Sequence, residues 1–215
     1  MDPAPTMGKP RLRGVSHHVA ALVFPVMGVV LVAAAGTGRG RVVAGVYTLC
    51  VTAMYATSAV YHRGRWSPEA KARLRRLDHS TILLCIAGTY TPMAAVGVGG
   101  ATGARILWAG WVLAVAGIAV RNRGITAPRW LVSGVYLVVG WVALIAMPAL
   151  WKHLGAVTFG LVVGGGVVYS LGAVVYARKR PDPNPAVFGF HEVFHALTVV
   201  AGLLFYAAAF RVVTR

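Results

Sequence analysis

Residues 188–211 read "FGFHEVFHALTVVAGLLFYAAAFR". Two readings compete in this stretch. His191 to His195 spell H-E-x-x-H, in which two histidines one helical turn apart hold zinc and the glutamate between them acts as general base in metalloproteases. The same residues open an apolar run about as long as the ~20 residues an α-helix needs to cross ~30 Å of hydrocarbon. A zincin also needs a third ligand, and downstream of His195 the sequence holds no Asp, Glu or His. The run therefore reads as a membrane-spanning helix with a histidine pair near its start, and any third ligand comes from upstream.

Six further apolar stretches precede it, at roughly 16–36, 42–62, 77–97, 104–121, 129–149 and 155–176, each near the ~20-residue spanning length. Of the 215 residues 58% are hydrophobic, and the mean hydropathy is +0.70, too apolar for a single water-soluble domain of this length. The expectation is an all-α integral membrane protein: a seven-transmembrane helix bundle forming a single domain over 16–215, preceded by a basic tail at 1–15. No small-residue cleavage site follows the first run, so it reads as a retained helix and not a signal peptide.

A net charge of +16 raises nucleic acid as a partner, but the basic residues lie between the apolar runs. With loops alternating sides, fifteen of the 21 Lys and Arg fall on one side: in the tail (Lys9, Arg11, Arg13) and in the loops at 63–76, 121–129 and 178–180. The positive-inside rule then makes the N-terminus cytosolic and, after seven crossings, the C-terminus external. The charge reads as topology determinants and anionic-lipid contacts, with no nucleic-acid role. Cys50 and Cys85 lie within the second and third runs, where a thiol is ordinary packing material.

Of five acidic residues, Asp2, Glu69 and Asp182 fall in the tail or loops, leaving Asp78 and Glu192 at helix starts. A charge in hydrocarbon costs about 2.5–3.5 kcal/mol even on the lenient insertion scale, so such residues are functional candidates with partners. His62 ends the second run, Asp78 opens the third, and His191 and His195 occupy the first turns of the seventh, all on the cytosolic side of the expected topology. Ser58 and His62, like His191 and His195, are four apart and share a helix face. Three neutral imidazoles with one open position make a catalytic zinc site, in which the metal lowers the pKa of a bound water towards ~7. Asp78 is then an acceptor or base for that water, and Ser58 a hydrogen-bonding group that fixes geometry. Glu192, ~100° around the helix from His191, either approaches the metal or faces cytosolic water where it suits the helix dipole; the second is favoured. His17 and His18 either line the cytosolic mouth or are interfacial, again with the second favoured, and His153 reads as solvated. Trp108, Trp111, Trp130, Trp141 and Trp151 read as an interfacial aromatic belt. Pro92 is expected to kink the third helix, with the hydroxyls of Thr89 and Thr91 re-satisfying freed backbone groups.

The segments "SAVYH" (58–62), "RLDHSTILLCIAGTYTPM" (76–93) and "HEVFHALTVVAG" (191–202) resemble the bacterial haemolysin-III-like proteins of the progestin and adipoQ receptor family, which includes the adiponectin receptors. The resemblance covers nearly the whole chain. It implies seven spans with the N-terminus inside, zinc held by His62, His191 and His195, Asp78 on the zinc-bound water, and Ser58 as the motif serine. It also implies the bacterial cytoplasmic (inner) membrane. Family members vary in the residue after the first histidine of H-x-x-x-H, which argues against Glu192 as an obligatory base. One departure stands out: relatives often carry an acidic segment before the first helix, where this chain has "RLRGVSHHVA" (11–20).

The leading expectation is a zinc-dependent hydrolase acting on a lipid amide or ester at the cytosolic leaflet, with Asp78 taking and returning the proton. The alternative is a non-enzymatic sensor or regulator of membrane state with a structural zinc. Cytolysin and intramembrane metalloprotease are less favoured. Partners are membrane lipids, including a lipid substrate.

Overall fold

The computed structural model of the chain describes residues 9–123, 129–141 and 143–215. Their regular elements are helices: α1 (Val15–Ala34), α2 (Gly38–Arg63), α3 (Pro68–Pro92, prolonged by a π-helical stretch Met93–Val98), α4 (Gly100–Asn122), α5 (Arg129–Trp141), α6 (Ala143–Leu154), α7 (Ala156–Arg178) and α8 (Phe190–Val213). Six are long and apolar enough to cross a membrane: α1, α2, α3 with its extension, α4, α7 and α8. The apolar stretch at 129–149 falls on α5 and α6, each shorter than a span, and Val142 between them lies outside the described residues. Large apolar side chains face outward, including Leu22 (64% exposed), Val29 (69%), Leu49 (70%) and Trp108 (70%). Water would penalise such a surface and hydrocarbon does not. The described chain is an all-α membrane protein.

Local chemistry sets the helix ends. Ser67 caps α3 by accepting from the Ala70 N–H at 3.2 Å, and Pro68 stands at the first position, where its missing N–H costs nothing. That cap starts α3 nine residues before the apolar run at 77, so a charged first section of helix precedes the spanning part. At its other end Pro92 leaves the Gly88 carbonyl without its usual i+4 donor, and the helix widens into the π-helical stretch. The hydroxyls of Thr89 and Thr91 bond the carbonyls of Cys85 (2.8 Å) and Ala87 (2.9 Å), not the carbonyl that Pro92 frees.

Close helix approach positions the site. α2 packs against α1 and α3, and α7 against α8. A Cβ on Gly88 would stand 2.5 Å from the Cβ of Cys50, so glycine is what lets α2 and α3 meet at that level. Both cysteines are buried and free, as packing material. α2 is tied to α8 by Tyr55, whose hydroxyl donates to the Thr198 carbonyl at 3.1 Å, and by Tyr47, whose hydroxyl donates to that of Gly202 at 3.4 Å. The aromatic belt needs revision at two positions: the indole N–H groups of Trp111 and Trp141 donate inward, to Thr91 (3.1 Å) and Ser170 (2.8 Å). Trp108 and Trp151 are exposed; the side chain of Trp130 lies outside the described residues.

Candidate metal centre

α2 brings Ser58 and His62 on one face of its last turns, α3 brings Asp78, and α8 brings His191 and His195 on one face of its first turns. The tyrosine ties between α2 and α8 bring the three histidines together: one ring nitrogen from each lies within 4.8 Å of the others. The Nε2 atoms of His62 and His191 are 3.2 Å apart. Asp78 Oδ2 lies 4.0 Å from His62 Nε2, and Ser58 and Asp78 line the same cavity. Ser58, Asp78, His191 and His195 are buried, and His62 is half-buried.

These residues fit a metal ion. Tetrahedral zinc with bonds of ~2.0–2.1 Å to nitrogen sets its ligands about 3.3 Å apart, close to the His62–His191 separation. His195 Nδ1 is buried with no hydrogen-bond partner, an expensive state for a ring nitrogen. His62 and His191 are close enough to share one hydrogen bond as neutral rings, and three ring nitrogens gathered within 4.8 Å are also the donor set that suits a borderline-soft cation.

Glu192 is elsewhere engaged. Its Oε2 accepts from the Gly189 N–H at 2.9 Å, capping α8, and its Oε1 pairs with Arg13 Nε at 2.6 Å. It sits at the helix start, as its charge favours, but it is buried and does not face water. One oxygen thus caps the helix and the other lies in an ion pair.

The stretch before α1 lies over this end of the bundle. The N–H groups of Arg11 and Leu12 donate to the carbonyls of Ala186 (3.0 Å) and Val187 (3.1 Å), and Lys9 Nζ reaches the His62 carbonyl at 3.5 Å. Gly14, at φ 76°, turns this segment into α1, and a Cβ there would stand 2.8 Å from that of His62. The position demands glycine twice, for its left-handed backbone and for its lack of a side chain.

His17 is where the sequence reading fell short. It is buried, not interfacial; its ring stacks on that of His195 with centroids 3.8 Å apart and planes at 3°, and its Nε2 is 2.7 Å from Thr198 Oγ1. His18 is exposed. The buried residues of α1 are His17, Ala20, Phe24, Gly28 and Leu31, a stripe at helical spacing. That stripe was the available signal, since it contains His17 and excludes His18. Arg13, a tail charge by the topology argument, supplies the cation that the buried Glu192 carboxylate needs. His153 is exposed.

The fold and the histidine cluster together describe a helical membrane protein with a candidate metal site at one end. The family model described as "Haemolysin-III related" matches residues 6–206, and the chain belongs to that family. It is similar to hemolysin-3 of Bacillus cereus, 28% identical over 199 residues that cover 89% of each chain. It is also similar to the hemolysin-3 homolog of Bacillus subtilis (strain 168), 30% identical over 193 residues, 90% of this chain and 89% of the relative.

Proposed function

We propose that the chain is a zinc-dependent hydrolase of a lipid amide or ester, carried in the bacterial cytoplasmic membrane by seven spans with the N-terminus cytosolic and the C-terminus external. One observation carries this reading: the three histidines and Asp78 line the same cavity of about 760 Å³ as a wall of apolar side chains, among them Ile82, Met93, Ile106, Val162 and Phe205. That volume lies within the ~300–1,000 Å³ usual for small-molecule sites, and its character suits an acyl chain. The loop charges support the orientation.

His62, His191 and His195 would hold the zinc, which would supply Lewis acidity and activate water near neutral pH. In this reading Asp78 accepts a proton beside the ligands and returns it to the leaving amine or alkoxide. Ser58, one turn before His62, offers a hydroxyl to a histidine nitrogen or a substrate oxygen, and the apolar wall fixes the acyl chain and excludes water. The sensor reading, with zinc as a clamp on α2, α3 and α8, draws on one contrary feature, the N-terminal segment that covers the cluster, since structural zinc sites are closed. Zinc-loaded protein incubated with a mixed lipid extract, with products followed by mass spectrometry, is expected to release fatty acid. Fully zinc-loaded protein that turns over no lipid would favour the clamp.

A further inference from the structure

The cavity has a cationic end that the chemistry above leaves unused. Lys9 and Arg13 from the N-terminal segment, Lys71 and Arg75 from α3, and Arg121 from the last turn of α4 line it, and Asp78 is the one acid among its described lining residues. Arg13 is matched by Glu192. Arg121 is 3.1 Å from a ring nitrogen of His79, which leaves its charge unbalanced. Lys71 and Arg75 have no ion pair among the described residues.

Membrane orientation alone does not account for this. The positive-inside rule asks for cations on one side of the bilayer and is indifferent to which way they face. Of six basic residues at 63–76, Lys71 and Arg75 line the cavity while Arg63, Arg65, Arg73 and Arg76 do not. Helical spacing selects them: Lys71, Arg75, Asp78, Ile82, Cys85 and Thr89 all line the cavity at intervals of three and four. One face of α3 thus runs from cation through carboxylate to largely apolar wall. Arg75 stands ~4.5 Å and Lys71 ~10 Å along the axis from Asp78, on the side away from that wall.

We propose that the cavity takes an acyl lipid with an anionic headgroup. Its phosphate or carboxylate is held by Lys71 and Arg75 through charge-assisted hydrogen bonds, its labile bond lies level with Asp78, and its chain follows Ile82 towards Met93. The proposal rests on the lipid-site part of the function above and not on turnover.

The test measures binding of three lipids with one oleoyl chain to zinc-loaded protein in phosphatidylcholine nanodiscs: oleoyl lysophosphatidate, N-oleoylglycine and mono-oleoylglycerol. At least one anionic lipid is expected to bind about tenfold or more tightly than the neutral glyceride, and the tighter of the two identifies phosphate or carboxylate. The double variant Lys71→Ala/Arg75→Ala should remove most of this preference with zinc content unchanged. Arg73→Ala/Arg76→Ala, which removes equal charge from the same helix, should keep it. Equal affinity for the neutral lipid overturns the proposal. So does a preference that survives Lys71→Ala/Arg75→Ala, because the anion is then bound elsewhere, or one lost equally in both double variants, which marks a general surface field. Retained preference without turnover counts against the hydrolase alone; turnover without preference counts against the headgroup alone.

Discussion

Asp78 and Glu192 are the two buried carboxylates beside the histidines, and their surroundings give them different work. Asp78, 4.0 Å from His62 Nε2, has no Lys or Arg ion pair among the described residues. Asp78→Asn is expected to keep zinc, with affinity lowered at most about 10–100-fold, while lipid turnover falls about 10²–10⁴-fold, the usual worth of a positioned base. Glu192→Gln should do the reverse. It loses the charge opposite Arg13, whose side chain is 21% exposed and so partly screened, and stability should fall by on the order of 1–2 kcal/mol. The readout is a lower thermal midpoint in detergent with turnover per zinc-loaded molecule unchanged. A Glu192→Gln protein that holds zinc but has lost turnover would restore the metalloprotease-like reading of H-E-x-x-H. The ligands themselves are tested by elemental analysis: about one zinc per chain is expected from a three-histidine site, mostly lost in His62→Ala, His191→Ala or His195→Ala and kept in His153→Ala. Full zinc in the His191→Ala/His195→Ala double variant would remove the site.

At the scale of elements, the separation of α2 and α3 fixes where His62 and Asp78 stand relative to each other. Gly88 against Cys50 is a contact that limits it, with no room for another methyl group. Gly88→Ala should push the helices apart, costing about 1–3 kcal/mol as overpacking does, and should impair turnover although residue 88 lies about 15 Å along the helix from Asp78. Cys50→Gly removes the opposing Cβ, so the double variant should recover both thermal midpoint and turnover. Absence of recovery would mean that the α2–α3 spacing is held elsewhere. α8 is started differently: Asp182 Oδ1 accepts from the Phe190 N–H at 2.8 Å and Glu192 from that of Gly189. Two carboxylates thus satisfy donors at the very turn that presents His191.

For the whole molecule, the seven-span proposal makes a prediction about sidedness. A reporter fused after Arg215 should behave as external and one inserted in the 63–76 loop as cytosolic, by the loop-charge argument. Both reporting the same side would require an even number of crossings between the 63–76 loop and the C-terminus and would leave the histidine end without an assigned leaflet. The same orientation places the cationic end of the cavity against the anionic cytosolic leaflet, where polybasic segments gain about 1 kcal/mol per residue.

The membrane-spanning helices were legible because hydropathy over ~20 residues is a local property, and a bilayer imposes its thickness on each run separately. Ser58 with His62, and His191 with His195, were legible as pairs because i,i+4 spacing puts two side chains on one helix face whatever the helix packs against. The early start of α3 was missed because a polar helix beyond the hydrocarbon leaves no trace in hydropathy, only the Ser67–Pro68 signal. What the tertiary structure alone decided are the contacts made where helix faces meet: His17 against Thr198, 181 residues away, Arg13 on Glu192, and a single cavity that gathers cations, histidines and apolar wall. Those depend on how each helix is rotated about its axis, and in a bundle that rotation is set by close packing between neighbours, which no single run of residues encodes.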